Sequence, residues 1–159
     1  MSRTVEHVRV KEILASLRKL YPHPECALVW HTPWELLAGV ILSAQCTDAR
    51  VNEVTKRLFK QYPSCEACAK AREEDIATII FSVGAFRKKA RYLKETAQRI
   101  MAVYEGEVPC SLDHLRTLSG VGRKTALVFL GNVCGVSEGI PVDTHVFRFA
   151  RRYCLSRAC

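Results

Sequence analysis

The sequence predicts an all-α protein, on three observations. Apolar residues recur at helical spacing in segment after segment. Thr32-Pro33-Trp34-Glu35 is a capping box with proline at the first helical position. No run of alternating apolar and polar residues comes with a hairpin turn. Taken in order, Val8, Ile13, Leu14, Leu17 and Leu20 mark a helix from Val5 to Tyr21, which Pro22 and Pro24 stop. The helix opened by the capping box runs to Gln45 and is apolar nearly all round, as a central core helix is. Thr47 and Asp48 can cap the next helix, which carries Val51, Val54, Leu58 and Phe59 on its inner face. Pro63-Ser64 breaks the chain, and short helices are expected near Cys65 to Ala71 and Glu73 to Ser82, the second closed by Gly84. A long basic helix follows from Phe86 to Tyr104 and ends near Gly106. Ser111 caps a short helix with Leu112, Leu115 and Leu118 on one side. Connections are short, so neighbouring helices are expected to pack on each other.

The chain has 159 residues, 48% of them hydrophobic and 25% charged. That is one domain, or two small halves, and excludes wholesale disorder and low-complexity sequence. The net charge is +8 and the basic residues recur along the chain rather than in a tail. A polyanion is the natural partner, nucleic acid before membrane; a plain basic protein is the bland alternative. The longest apolar run, Leu36 to Leu42, is too short to span a bilayer. The start, Met-Ser-Arg-Thr-Val-Glu-His, is polar and charged, so no targeting segment is seen and a cytoplasmic location is expected. Eight cysteines are then expected to be mostly reduced and buried rather than a disulfide framework. Cys65 and Cys68 form a lone C-x-x-C, a weak metal signal without a second pair.

Chemistry concentrates in Leu118-Ser119-Gly120-Val121-Gly122-Arg123-Lys124-Thr125-Ala126. A short helix ends, two glycines allow a tight turn, and an apolar helix runs on to about Cys134. Such a turn points N–H groups at an anion, and it equally serves as an ordinary helical corner. Lys124 stands in the first turn of the second helix beside Arg123. A lysine amine that has lost its proton is a nucleophile and forms Schiff bases; position alone also fits a solvated lysine or a phosphate contact. Further on, Asp143 stands where a helix to Tyr153 begins, as a cap, a cleft-facing carboxylate, or both. Four arginines and no acid follow it, which suits a segment lying near phosphates.

The G-V-G-R-K-T-A run of residues 120–126, followed by V-D-T-H-V-F-R at 142–148, resembles the endonuclease III family. These are base-excision DNA glycosylases of the helix–hairpin–helix superfamily. Pro33 to Leu37, Leu42 to Asp48, Gly84 to Ala90 and Gly106 to Pro109 follow the family pattern in the same order, so the resemblance runs from about Val10 to Arg152. It implies two helical lobes with a DNA cleft between them. Residues 22–135 would form one lobe, with the helix–hairpin–helix at about 111–134, and residues 1–21 with 136–159 an incomplete second lobe. The implied partner is double-stranded DNA with a damaged pyrimidine or an abasic site, handled by a monomer that needs no membrane. The implied activity is removal of oxidised pyrimidines and cleavage at the abasic site.

By the same resemblance, Lys124 attacks C1′ of an extruded nucleotide, and Asp143 assists it and stabilises positive charge on the sugar. Gly120, Val121, Gly122 and Arg123 would grip the DNA backbone, and Gln45 would fill the gap left by the extruded base. Lys89, with Arg87, Lys88 and Arg91, would supply phosphate contacts or simply a solvated face. His145 matches the motif without an assigned role. Two departures stand out. Ala85 occupies a position where family members usually carry a larger apolar wedge. Family members usually continue into a C-terminal region with four cysteines for a [4Fe–4S] cluster, and those ligands are absent here, so neither cofactor nor metal is expected. The sequence therefore also fits a truncated chain whose Val146, Phe147 and Phe149 lose packing partners. The alternatives are an adenine-mismatch glycosylase, which usually lacks the hairpin lysine, a non-catalytic DNA-binding module, or an inactive remnant.

Overall fold

A computed structural model of the chain describes residues 3–155, with side chains from residue 9 onward. Among the described residues there are nine α-helices, one π-helical stretch and no strand. The chain divides into two units, one of residues 27–141 and one of residues 3–26 with 142–155.

In the larger unit, α2 (Pro33–Ser43) is the core helix. Thr32 Oγ1 accepts from Glu35 N at 3.2 Å, and Glu35 Oε2 accepts from His31 N at 2.7 Å, so two orphan N–H groups at the helix start are satisfied. Trp34 and every residue from Leu36 to Leu42 are buried. Each large aliphatic side chain so placed stabilises the fold by roughly 1.5–3 kcal/mol. The helix packs on α3 (Asp48–Gln61), α6 (Phe86–Val103) and α8 (Arg123–Phe129). Thr47 caps α3, whose Val51, Val54, Thr55 and Leu58 face inward. Ser64 caps α4 (Cys65–Lys70), and α5 (Glu73–Ile79) opens on Glu73, Glu74 and Asp75, which complement its positive end. Both short helices lie on α6, whose inner face is Lys89, Ala90, Leu93, Thr96, Ala97 and Ile100.

One expected stop is corrected. α5 ends at Ile79, short of Ser82, and Gly84 does not close it. Val83 N donates to Ile80 O at 2.9 Å in a tight turn, and the left-handed residue is Ala85, at φ 54°. After α6, Gly106 at φ 90° returns its N–H to Ile100 O at 3.1 Å and ends the helix where the sequence placed the stop. Ser111 caps α7 (Leu112–Arg116), with Leu115 and Leu118 buried. α8 continues as a π-helical stretch, Leu130–Cys134, closed by the left-handed Gly135.

The smaller unit holds α1 (Arg3–Leu20) and α9 (Thr144–Arg152). Ile13, Leu17 and Leu20 share with Phe149 and Tyr153 the walls of a cavity of about 310 Å³. α9 buries no residue fully, and Val146 and Phe147 are exposed.

The cysteines depart from expectation. Cys110 and Cys134 form a disulfide that closes the ends of the segment from α7 to the π-helical stretch. Among the described residues, the free thiols of Cys65 and Cys68 are buried and that of Cys154 is exposed. Burial pushes both Cys65 and Cys68 up to about 12. Their thiolate fraction at pH 8 is then on the order of one in ten thousand. A maleimide is therefore expected to label Cys154 in the native protein and Cys65 and Cys68 only after unfolding. Reduction of the Cys110–Cys134 bond is expected to lower stability by about 2–4 kcal/mol, read as a drop in melting temperature with dithiothreitol. An unchanged melt would show that the bond holds nothing the packing does not. Among the described residues no set of three or more His, Cys, Asp or Glu gathers as metal ligands. Among the described cysteines, Cys110 and Cys134 are paired with each other, and Cys65 and Cys68 lie one turn apart on α4. Cys159 lies outside the described residues. No described helix is long and apolar enough to cross a membrane.

Candidate nucleic-acid interface

The turn between α7 and α8 is held from below by α6. Gly120 sits at φ 77°, and a Cβ there would stand 2.6 Å from Tyr92 Cδ2, so no other residue fits without moving the ring. Thr96, fully buried, donates from Oγ1 to Ser119 O at 2.8 Å. Arg99 Nε donates to Thr117 Oγ1 at 3.2 Å. Val121, expected at the DNA surface, buries its side chain, and its N–H donates to Leu118 O at 3.2 Å. Val121 therefore anchors the turn from inside. Gly122 is exposed, with open space where a Cβ would be, and caps α8 without any side-chain bond.

Arg123 and Lys124 open α8 and are exposed, with no acid in the first turn. Cations at a helix N-terminus oppose the helix dipole by a few tenths of a kcal/mol or more each. α6 repeats the pattern: Arg87 and Lys88 are exposed in a first turn that contains no acid. Both helices thus open on exposed cations with no acid in their own first turns, which runs against the helix dipole and is a mark of a functional surface. Phosphate is the kind of anion that such basic openings attract.

Lys89 departs from its expected role. It is 6% exposed, and its Nζ donates to Leu42 O at 2.8 Å and Ala44 O at 2.6 Å. Desolvation pushes its pKa down. An ammonium enclosed by two carbonyls inside the protein is not a phosphate contact; Arg87, Lys88 and Arg91 remain on the outer face. Gln45 is exposed at the end of α2 and holds a left-handed backbone, φ 55°. Neither that backbone strain nor the burial of Lys89 is legible in the sequence; a lysine among lysines gives no signal of which one turns inward.

In the smaller unit Asp143 is the N-cap of α9. Its Oδ1 accepts from His145 N at 2.9 Å and Val146 N at 2.8 Å. A cavity of about 510 Å³ lies between α5 and the start of α6, lined by Glu73, Phe81 and Phe86 among others, and by Arg87 of the expected phosphate contacts.

Residues 38–158 match the family model of HhH-GPD superfamily base excision DNA repair proteins. The chain belongs to the endonuclease III family. It is 46% identical to the endonuclease III of Synechocystis over 94% of its own length and 68% of the relative's. It is 40% identical to that of Escherichia coli over 89% of its length and 66% of the relative's. An endonuclease III solved as a trapped covalent intermediate with DNA superposes with a TM-score of 0.89 at 42% identity, covering 94% of this chain and 70% of that one. A thermostable thymine-DNA glycosylase shares the fold, with a TM-score of 0.81 at 24% identity. Membership makes the protein a DNA glycosylase of base excision repair and makes DNA its partner. The exposed basic openings of α6 and α8 are consistent with an endonuclease III surface that binds DNA.

Proposed function

We propose that the protein removes oxidised pyrimidines from duplex DNA and then cleaves the strand at the abasic site, acting as a monomer. The observation that carries the reading is Lys124, exposed in the first turn of α8 directly after a turn that Gly120, Tyr92 and Thr96 fix in place. Its Nζ attacks C1′ of an extruded nucleotide, the glycosidic bond breaks, and the base leaves with the bonding electrons and takes up a proton. The sugar ring opens to a Schiff base on Lys124. Loss of a C2′ proton then expels the 3′ phosphate by β-elimination, and water releases the enzyme. Asp143 helps remove the lysine proton and stabilises positive charge on the sugar. Gly120 to Gly122 and Arg123 hold the phosphate next to the extruded nucleotide, which keeps C1′ within reach.

A duplex carrying one oxidised pyrimidine tests the reading on a denaturing gel. Strand cleavage without added alkali, leaving an unsaturated aldehyde at the 3′ end, is the expected result. Base loss that needs alkali for cleavage would make the protein a glycosylase without lyase chemistry. Salt-sensitive binding with no base loss would favour the binding-module reading, which the basic openings of α6 and α8 also suit.

A further inference from the structure

A buried ammonium needs a reason, because an apolar side chain of similar length would pack α6 on α2 without the cost of desolvating a charge. Lys89 Nζ bonds Leu42 O and Ala44 O, two carbonyls at the C-terminal end of α2. Such carbonyls lack intrahelical partners, and a cation is the favoured group there. The very next residue is Gln45, exposed and left-handed. The left-handed conformation is unfavourable for a non-glycine residue, so something must hold it. On the other side, Lys89 N donates to the carbonyl of Ala85 at 3.1 Å, and Ala85 is the second exposed left-handed residue. The two turns are neighbours: a Cβ on Gly84 would lie 3.8 Å from Gln45 O, an ordinary contact distance. The Lys89 ammonium thus bonds the turn that carries Gln45, while its amide makes the first helical bond of α6 to Ala85, as any residue there would.

We infer that Lys89 is a positioning residue, which fixes the turn bearing Gln45 so that this side chain enters the gap in a duplex from a preset backbone. The inference rests on the reading of Gln45 as the gap-filling residue. Lys89 acts through the turn and touches no DNA.

The test is a double-mutant cycle on binding, which needs no turnover. The full chain, Gln45→Ala, Lys89→Met and the double variant are titrated with two duplexes, one intact and one carrying a tetrahydrofuran abasic analogue. The quantity read is the ratio of the two Kd values. Gln45→Ala is expected to reduce the preference for the abasic duplex about tenfold, Lys89→Met by a similar factor, and the double variant no further. Lys89→Arg, which keeps the charge and several donors, is expected to restore most of the preference. Losses that multiply in the double variant overturn the inference, as does a Lys89→Met protein that binds both duplexes equally more weakly. A lower melting temperature with the preference intact also overturns it, leaving Lys89 as a stabilising residue only. An unchanged preference in Gln45→Ala overturns the gap-filling reading itself, and the inference falls with it. Should Lys89→Met not fold, Lys89→Gln, with one amide to donate, takes its place in the cycle with the same outcomes.

Discussion

Lys124→Ala is expected to yield no borohydride-trapped adduct with an abasic-site duplex and to lower strand cleavage by on the order of a thousandfold or more. The loss is that large because the lysine forms the bond on which elimination depends, and no water can replace a Schiff base. The fold provides the control. Lys124 is exposed, and the buried side chains of α8 are Ala126, Leu127 and Phe129. Alanine is a good helix former and removes a cation from a helix N-terminus, so stability should stay within about 1 kcal/mol. Asp143→Asn separates two roles of one side chain. Asparagine caps helices as well as aspartate, so the bonds to His145 N and Val146 N are kept. The carboxylate charge is lost, and a fall of about a hundredfold to ten-thousandfold in base release is expected. An adduct that still forms in Lys124→Ala would assign the nucleophile elsewhere. Full activity in Asp143→Asn would leave Asp143 as a cap alone.

Gly120→Ala is expected to lower stability by about 2–4 kcal/mol, the sum of a left-handed backbone and an overpacked ring. The added Cβ would meet Tyr92 at Cδ2, Cγ and Cβ, at 2.6, 2.9 and 3.1 Å. Rotation of the ring cannot relieve the last of these contacts, so the turn itself must shift. Lys124 begins the next helix, so a shifted turn also misplaces its amine, and strand cleavage should fall by more than the unfolded fraction explains. Gly122→Ala is the matched control. Nothing lies within 4 Å of a Cβ there, and φ is −86°, open to any residue. Its cost should be about 1 kcal/mol or less, that of a weaker cap. Thermal melts of the two variants decide the matter: equal losses would show that the clash at Tyr92 is relieved without effect.

The local signals in this chain were strong where one residue decides one bond. Thr32, Thr47, Ser111 and Asp143 each cap the helix that their position announces. Capping depends on a side chain reaching an N–H two or three residues on, so it is written in adjacent positions. Gly84 was a misleading signal for the same reason. A glycine permits a left-handed turn but does not require one, and here Ala85 takes it.

Helix identity, helix order and the residues of the G-V-G-R-K-T-A and V-D-T-H runs were determined by sequence alone, because periodicity, caps and motif spacing are properties of neighbours along the chain. Tertiary structure decided which of three consecutive cations turns inward, since Arg87, Lys88 and Lys89 differ only in their angle around α6 relative to α2. It decided that Gly120 faces Tyr92, twenty-eight positions earlier in the chain, and that Val121 anchors the turn from inside. It also paired Cys110 with Cys134. Each of these depends on where a distant segment packs, and burial against a distant segment leaves no mark on the residues beside it.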